Sequence, residues 1–349
     1  MAASAALAQQ KPPAKKTKPE KEVKAADTVL STFFQSETPL AATFTINVNR
    51  IRGDKDANTA PWRDASLSYK TDSTTVHIPV KAKTRGIWRL KNCQFPPIRL
   101  NFANDSTKHT VFHGLDKPKL VNNCRDDDGY EQYVLQEFQL YRIYRLLTPA
   151  SHAVRLIKMT YADSASGKII MSRYGFLQEE PFMVAARLHA KQAKLKGAGP
   201  GDLDPYIHVL GSVFQYMIGN TDWSISGLHN IELMQMMNGD IWPIIYDFDF
   251  SGAVNARYAT ADDRLHIRTV RDRLYRGYCV TDAAAYPKVY ELFRAKKDSI
   301  YALYRDPLGK LLKPDVVDET LKYFDEFYKT INEPRRAKMD IEEACLGKR

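Results

Sequence analysis

The feature that most constrains the fold is a change in hydrophobic period near residue 125. Before it, apolar and polar residues alternate in short runs separated by Gly, Asp, Asn and Pro: 42–50, 66–69, 75–81, 98–102 and 117–121. Over 128–147 the apolar residues instead recur with helical spacing, and Asp127 or Asp128 is available as the N-cap. The pattern therefore predicts an antiparallel β region followed by one helix.

The remainder of the chain completes an α+β pattern. Two more strands are predicted, followed by mainly helical segments: strands 153–161 and 168–178, helices 182–194, 204–218, 286–305 and 315–332. No internal repeat of about 20–50 residues is present, which excludes solenoids and propellers. We expect a β-rich N-terminal lobe with one helix over 39–180 and a mainly helical C-terminal lobe over 181–349. Ligands usually bind in the cleft between lobes.

The charge of the chain is unevenly distributed. Of the formal net charge of +10, residues 1–26 contribute +4, from six Lys and two Glu in a stretch rich in Pro and Ala. Such a stretch buries too little apolar surface to offset its ordering entropy, so a disordered basic leader or linker is predicted over 1–38. Basic residues in the remainder are not interleaved with aromatic ones, and we expect no nucleic-acid partner.

The cysteines and the first residues bear on the compartment. Met1–Gln10 resembles the end of a secretory signal, without its basic region and apolar core. Four widely spaced cysteines exclude a CxxC metal knuckle and allow two disulfides in three pairings. For an exported protein (periplasmic, cell-surface or secreted) we predict Cys93–Cys124 and Cys279–Cys345; for a cytoplasmic one, four separate thiols are the alternative. No apolar window is long enough for a membrane span, and we expect a monomer.

The segment that carries chemistry lies between residues 219 and 252. A predicted helix ends near Asn220, and a polar loop with Asp222 and Asn230 follows it. Two apolar strands come next, joined by an Asn-Gly turn that is typical of β-hairpins. The second strand ends abruptly in Asp247-Phe248-Asp249, and a period of two places both carboxylates on one face.

This order of elements is that of a protein-kinase catalytic centre. Phosphoryl transfer concentrates negative charge in the transition state, and Mg²⁺ held by hard oxygen ligands neutralises it. Asp247 and Asn230 suit the metal role, with Asp249 as a further candidate. Asp222 lies where a carboxylate would orient the attacking hydroxyl and accept its proton. His229 is a candidate metal ligand, but no second His lies at helical spacing from it, so we interpret it as a loop-packing residue.

Nucleotide-binding residues are predicted in the N-terminal lobe. Glu137 is a carboxylate on the apolar stripe of helix 128–147, where burial without a partner would be costly. We predict that Lys119, in the strand before this helix, pairs with Glu137 and holds the α- and β-phosphates. Arg99 is the competing candidate and Lys117 stays open as a third, while a partly exposed stripe edge is the alternative explanation for Glu137.

Two further segments are candidates for contacts with the nucleotide. No GxGxxG phosphate loop is present, and the nearest sequence is Lys83–Arg89, where Arg85 and Gly86 would approach phosphate. An ordinary basic turn is the alternative reading of that segment. The connector at 178–181, which includes Glu179, would offer backbone groups to adenine.

These residues resemble the spore-coat protein H (CotH) family of atypical, protein-kinase-like proteins. Three stretches within roughly 40–255 carry the resemblance: the Arg-Gly segment with Phe95–Leu100, the block from Lys119 to Glu179, and the motifs Asn220-Thr-Asp222, His229-Asn230 and Tyr246-Asp-Phe-Asp249. The resemblance implies a two-lobed protein-kinase-like fold, with Asp222 as the catalytic residue and Asp247 as a metal ligand. Asp222 and Asn230 are farther apart than in most kinases, and DFD replaces DFG.

The expected activity follows from the residues and the resemblance together. It is transfer of the γ-phosphoryl group of ATP to Ser or Thr hydroxyls of a secreted or surface protein, with Mg²⁺ or Mn²⁺. One alternative is an inactive kinase-fold protein that binds a nucleotide or a partner. Another is a different Mg²⁺-dependent phosphotransferase or nuclease, because clustered carboxylates also serve two-metal phosphodiester chemistry.

Overall fold

The computed structural model describes residues 30–347, so most of the predicted leader lies outside the described residues. Within the predicted leader range, a short helix α1 (Thr32–Gln35) begins at the N-cap Ser31. Its two phenylalanines, Phe33 and Phe34, are buried against the β region. The folded part of the chain therefore starts before residue 39.

Seven strands form the first half of the fold, with three short helices between them. The strands are β1 (Leu40–Ile46), β2 (Arg63–Lys70), β3 (Thr75–Thr84), β4 (Ile98–Phe102), β5 (Lys119–Val121), β6 (Val154–Asp163) and β7 (Ile169–Gln178). The short helices are α2 (Val48–Gly53), α3 (Trp88–Asn92) and α4 (Asn104–Thr107). The strands close into a barrel in the order β1-β2-β3-β4-β5-β7-β6. All pairs are antiparallel except β1–β6.

The predicted two-lobed, protein-kinase-like fold is wrong, because these seven strands form a closed barrel. The barrel closes where β1 pairs in parallel with β6, from Leu40 opposite Ile157 to Ile46 opposite Asp163. Alternation in the sequence specifies which face of a strand is buried, but it does not specify the partner strand. Closure removes the exposed edges that an open sheet would have.

The long helix α5 (Asp128–Leu147) has the predicted bounds, and Asp127 caps it by accepting hydrogen bonds from the amides of Gly129 and Tyr130. Although α5 precedes β6 in the chain, most of its buried side chains join the core of the C-terminal half and not the barrel interior. Tyr141 of α5 packs against Phe248, with ring centroids 4.7 Å apart. The helix therefore connects the barrel with the Asp247-Phe248-Asp249 segment.

The C-terminal half combines helices with a small sheet. Its helices are α6 (Pro181–Arg187), α7 (Pro205–Ile218), α8 (Ala285–Ala302), α9 (Pro314–Asn332) and α10 (Pro334–Ala337). Its strands are β8 (Lys191–Ala193), β9 (Ile231–Gln235) and β10 (Ile241–Ile245), paired in the order β10-β9-β8. The predicted Asn-Gly hairpin is confirmed as β9–β10.

The predicted helix over 182–194 is wrong in its second half. Helix α6 ends at Arg187, and His189 has a left-handed backbone with φ of 51°. Such a residue does not continue a right-handed helix. The chain then forms β8, which pairs with β9.

Both predicted disulfides are confirmed. Cys93 pairs with Cys124, and Cys279 pairs with Cys345. The first bond attaches the end of α3 to the segment just before α5, and the second attaches the chain before α8 to the C-terminal segment. Within residues 30–347, no helix combines the length and the apolar character needed to cross a membrane.

Candidate functional site

The loop that carries Asp222 is held by its own polar groups. Helix α7 ends at Gly219, whose left-handed φ of 66° turns the chain out of the helix. The Asn220 side chain then accepts a hydrogen bond from the Asp222 amide at 3.0 Å, and its backbone carbonyl accepts one from the Trp223 indole at 3.1 Å. Trp223 is buried, so the loop is anchored in the core.

Both oxygens of the Asp222 carboxylate have a partner. Oδ1 lies 2.8 Å from Nε2 of His229, and Oδ2 accepts a hydrogen bond from Nδ2 of Asn230 at 3.2 Å. The Asn230 amide also donates to the Asp222 carbonyl at 2.7 Å. The Asp222 side chain nevertheless remains 44% exposed. The carboxylate is thus oriented by its neighbours and still accessible.

His229 is a functional neighbour that the sequence did not identify. We interpreted it as a loop-packing residue, but its side chain is 57% exposed and contacts Asp222 directly. The sequence offered one signal for a functional role, which is that His229 directly precedes Asn230. This adjacency does not indicate where the imidazole points. The hydrogen bond depends on the backbone of the loop, where Leu228 and Asn230 both have left-handed φ angles.

Two predicted metal residues, Asn230 and Asp247, have strained backbones. Their φ angles are 53° and 67°, in the left-handed region that non-glycine residues seldom occupy. The Asn230 carbonyl accepts a hydrogen bond from the Tyr246 amide at 3.1 Å, which joins the two segments. The Asp247 amide donates to the Tyr141 hydroxyl of α5 at 2.9 Å. Backbone strain of this kind concentrates at functional sites.

Glu137, Asp247 and Asp249 form a carboxylate cluster between α5 and β10. Glu137 is 1% exposed and accepts a hydrogen bond from the Phe248 amide at 3.4 Å. Burial raises the pKa of Glu137 well above its usual value, and the charges of Asp249 and Asp247 raise it further. Burial and then Asp247 raise the pKa of Asp249 to about 6. Crowded negative charge of this kind favours a bound cation.

The donor atoms fit a magnesium ion in part. Asn230 directs Nδ2 at Asp222, so its amide oxygen is the side-chain atom that remains as a metal ligand. In residues 30–347, no group of three or more His, Cys, Asp or Glu side chains has a metal-binding arrangement. Mg²⁺ in phosphotransferases is held by one or two carboxylates, substrate phosphates and water, so two aspartates and an amide satisfy its protein ligand requirement.

Two arginines on the barrel side face the carboxylate cluster. Arg85, predicted to approach phosphate, donates to the Ile98 and Leu120 carbonyls at 3.3 and 3.4 Å. Arg89, which we did not predict, donates to the Asn122 carbonyl. Both guanidinium charges oppose the rise in the pKa of Glu137. The first disulfide holds Arg89, because Cys93 ends its helix.

Lys119 is not the partner of Glu137. No ion pair joins the two among the described residues, and the Lys119 ammonium instead lies 3.9 Å from the centroid of the Tyr246 ring. Burial lowers the pKa of Lys119 to about 8, and the carboxylate that most opposes this shift is that of Glu232. The pairing of β4 with β5 explains where Lys119 lies. It places Arg99 and Lys119 opposite each other, on the face that points away from the barrel interior.

The other two predicted nucleotide contacts lie apart from the carboxylate cluster. Lys117 forms a 2.8 Å ion pair with Asp116 and is partly exposed. The amide of Glu179 donates to the Ala153 carbonyl at 2.8 Å, and its own carbonyl bonds Nδ1 of His152 at 2.9 Å. Its side chain forms an ion pair with Arg187 at 3.0 Å. Glu179 therefore stabilises the connector and has its backbone groups engaged there.

An open cavity adjoins Asp222. Its volume is about 470 Å³, and its walls include Asp222, Trp223, His229, Phe250, Arg264 and Arg276. A cavity of this size is within the range that binds small ligands or peptide side chains. The exposed carboxylate of Asp222 is therefore reachable from solvent through this cavity.

The sequence matches no protein-family model, and no curated protein matches it. The function must therefore be inferred from the chemistry of these residues.

Proposed function

We propose that the protein is an ATP-dependent phosphotransferase that uses Mg²⁺ or Mn²⁺ to transfer the γ-phosphoryl group to Ser or Thr hydroxyls of another protein. One observation carries the proposal. An accessible, oriented carboxylate, Asp222, lies next to a buried carboxylate cluster, close enough that its charge raises the pKa of Asp249. Phosphoryl transfer needs an accessible group for the acceptor hydroxyl next to an enclosed site for the cation-bound phosphate.

Asp222 acts as the group that orients the acceptor hydroxyl and takes its proton. His229 and Asn230 each bond one carboxylate oxygen, so the rotation of the carboxylate is restricted. The Asp222 side chain lines the open cavity and is 44% exposed. A positioned carboxylate of this kind contributes about 10²–10⁴-fold to the rate.

Asp247, Asp249 and the amide oxygen of Asn230 are the groups that would hold the metal ion. When bound, the ion neutralises phosphate oxygens as charge develops on them. Tyr258 donates a hydrogen bond to Asp249 at 3.0 Å, and Tyr141 bonds the Asp247 amide, so both aspartates are held from outside the cluster. Positions fixed in this way reduce the reorganisation needed during transfer.

Cationic side chains of the barrel would bind the phosphates of the nucleotide. Arg85 and Arg89 lie beside the carboxylate cluster, whereas Arg99 and Lys119 lie on the outer face of the barrel near Tyr246. Guanidinium and ammonium groups bind phosphate oxygens strongly when partly desolvated. We assign all four to the triphosphate, with Arg85 and Arg89 nearest the transferred group.

Export is part of the proposal. Disulfides persist in oxidising compartments and are rare in the cytosol, and both pairs here join distant segments. The resemblance to the CotH family also favours a protein acceptor that is secreted or on the cell surface. We therefore propose that the enzyme meets its acceptor in the periplasm, on the surface or outside the cell.

The test measures transfer of radiolabelled γ-phosphate from ATP, with Mg²⁺ or Mn²⁺, to casein and to the chain itself. The native protein should label protein, and Asp222→Asn should reduce labelling about 10³-fold. Asp318→Asn, an exposed aspartate on α9, is the matched control and should keep full activity.

Three outcomes would contradict the proposal. Absence of label with every nucleotide and metal would exclude a phosphotransferase. Nucleotide binding without transfer would indicate an inactive nucleotide-binding protein. Cleavage of DNA or RNA that needs Asp247 would indicate a nuclease.

A further inference from the structure

The cavity beside Asp222 is lined by two arginines, Arg264 and Arg276, which the proposed transfer reaction does not itself require. We propose that it binds an acidic segment of the acceptor protein, so that Asp or Glu residues close to the target Ser or Thr engage Arg264 and Arg276. This inference rests on the proposed function, because it identifies the class of acceptor that the same site would take.

Arg276 is a fixed cation at the wall of the cavity. Its guanidinium donates a hydrogen bond to the Thr221 carbonyl, one residue before Asp222. Asp262 and Asp222 are the acidic groups whose charges act on it. Because Arg276 is tied to the backbone beside Asp222, an acceptor carboxylate that bonds it would also be held near the catalytic group.

Arg264 is an accessible cation at the rim of the cavity. Its side chain is 87% exposed, and its guanidinium contacts the carboxylate of Asp262 two residues earlier. Exposed ion pairs of this kind contribute little free energy, because water and salt screen the two charges. An incoming carboxylate can therefore share or replace Asp262 at small cost.

The chain around these residues is strongly basic. Residues 257–276 contain six arginines against three aspartates. Arg271 and Arg273 bond the carbonyls of Gly252 and Met217, so they stabilise the fold. Of the other four, Arg264 and Arg276 line the cavity, whereas Arg257 and Arg268 lie outside its wall.

The wall is also held in place before any acceptor binds. The segment ends next to Cys279, which is bonded to Cys345. The Leu346 amide donates to the Gly277 carbonyl at 2.8 Å, and the Cys279 amide donates to the Leu346 carbonyl at 2.9 Å. A preorganised wall, with two arginines and two aspartates, loses less entropy when it binds than a mobile one.

Charge also argues against a basic acceptor. Lysine or arginine next to the target hydroxyl would meet Arg264 and Arg276 across a small cavity, and like charges brought together at an interface are unfavourable. Asp222 and Asp262 also line the cavity, but Asp262 is already paired with Arg264 at 2.5 Å, and Asp222 is the group that meets the acceptor hydroxyl. An acidic acceptor satisfies the arginines, and this difference produces selectivity.

The experiment compares three peptides that differ only around a central serine, flanked by Asp and Glu, by Asn and Gln, or by Lys and Arg. The full-length protein should phosphorylate the acidic peptide with kcat/KM at least about 10-fold above the neutral one, and the basic peptide least. Arg264→Glu should remove this preference. Arg268→Glu makes the same change in the same segment, at a side chain that is 92% exposed and outside the cavity wall, and should retain it.

Peptide binding is measured separately by fluorescence anisotropy, without nucleotide, so that the two proposals can fail independently. Tight binding of the acidic peptide that is lost in Arg264→Glu supports the acidic acceptor even if no peptide is phosphorylated. Equal binding of all three peptides, or equal loss in Arg264→Glu and Arg268→Glu, overturns it. Phosphorylation of all three peptides at equal rates overturns it while leaving the proposed function intact.

Discussion

The carboxylates of the candidate site occupy two contrasting environments. Glu137 and Asp249 are 1% and 5% exposed, whereas the Asp222 side chain is 44% exposed. On the buried side, desolvation and like charges raise pKa values, and each group has partners from several elements. On the open side, two neighbours orient one carboxylate at the edge of a cavity. A site that holds phosphate and metal must be enclosed, while one that admits a protein must stay open.

Each disulfide stabilises one of these two sides. Cys93–Cys124 holds the segment with Arg89 against the start of α5, and Cys279–Cys345 holds the basic segment beside the open cavity. The two sides can therefore be perturbed separately by mutation.

The largest expected effect is on stability, from removal of either disulfide. The bonded cysteines are 31 and 66 residues apart, and a chain-entropy estimate gives about 4 kcal/mol for each bond, slightly more for the second. Cys93→Ala/Cys124→Ala should also weaken ATP binding, and Cys279→Ala/Cys345→Ala should weaken binding of the acidic peptide. Urea unfolding and the two binding measurements check this. Equal loss of both ligands in both variants would show that the two sides are not independent.

A smaller effect, of opposite sign, is expected from Asp249→Asn. Asp249 has its pKa raised from 3.8 to about 6, so its contribution to stability is full below about pH 4 and is lost as the pH rises through 6. At pH 7 the buried charge therefore costs about 3 kcal/mol, which asparagine removes while still accepting the Tyr258 hydrogen bond. We expect a more stable metal-free protein that is inactive.

Asp222→Asn is the matched comparison for that change. Its carboxylate is partly exposed, so the same acid-to-amide replacement should alter the free energy of unfolding by less than about 0.5 kcal/mol. Chemical denaturation at pH 7 without divalent metal measures both variants. A stabilisation as large in Asp222→Asn as in Asp249→Asn would contradict the contrast between the two sides.

After the disulfides and Asp249, the smallest of the three effects on stability concerns pH and the buried His152, which lies near Lys119. Burial, followed by the charge of Lys119, lowers the pKa of His152 from 6.5 to about 3. The unfolded chain takes up a proton below pH 6.5 and the folded one does not, so stability is lost as the pH falls from 6.5 towards 3. Between pH 7 and 5 this loss is about 2 kcal/mol.

His152→Asn should remove that part of the pH dependence, because an amide can still donate to the Glu179 carbonyl and does not titrate. The same substitution at the exposed His229 is the control. Free energies of unfolding at pH 7 and 5 provide the measurement. An unchanged difference in His152→Asn would contradict the expectation.

Much of the local structure could be predicted from the sequence. Helix α5, its Asp127 cap, the Asn-Gly hairpin and the Asp-Phe-Asp segment after β10 all follow from patterns within a few residues. The limits of this approach are visible at β8, where a continued helix was predicted and the left-handed backbone of His189 ended it. Hydrophobic period alone does not identify such a stop.

By itself, the sequence determined the types of most elements and the carboxylates that gather near β10, while it left the cysteine pairing open among three possibilities and free thiols. Only the tertiary structure decided that β1 closes the barrel against β6, that Glu137 faces Arg85 and Arg89 and not Lys119, and that His229 bonds Asp222. The physical reason is the range of the interactions. Helix caps, turns and periodicity act between neighbours in the chain, whereas strand pairing and the direction of a charged side chain depend on segments that meet only after folding.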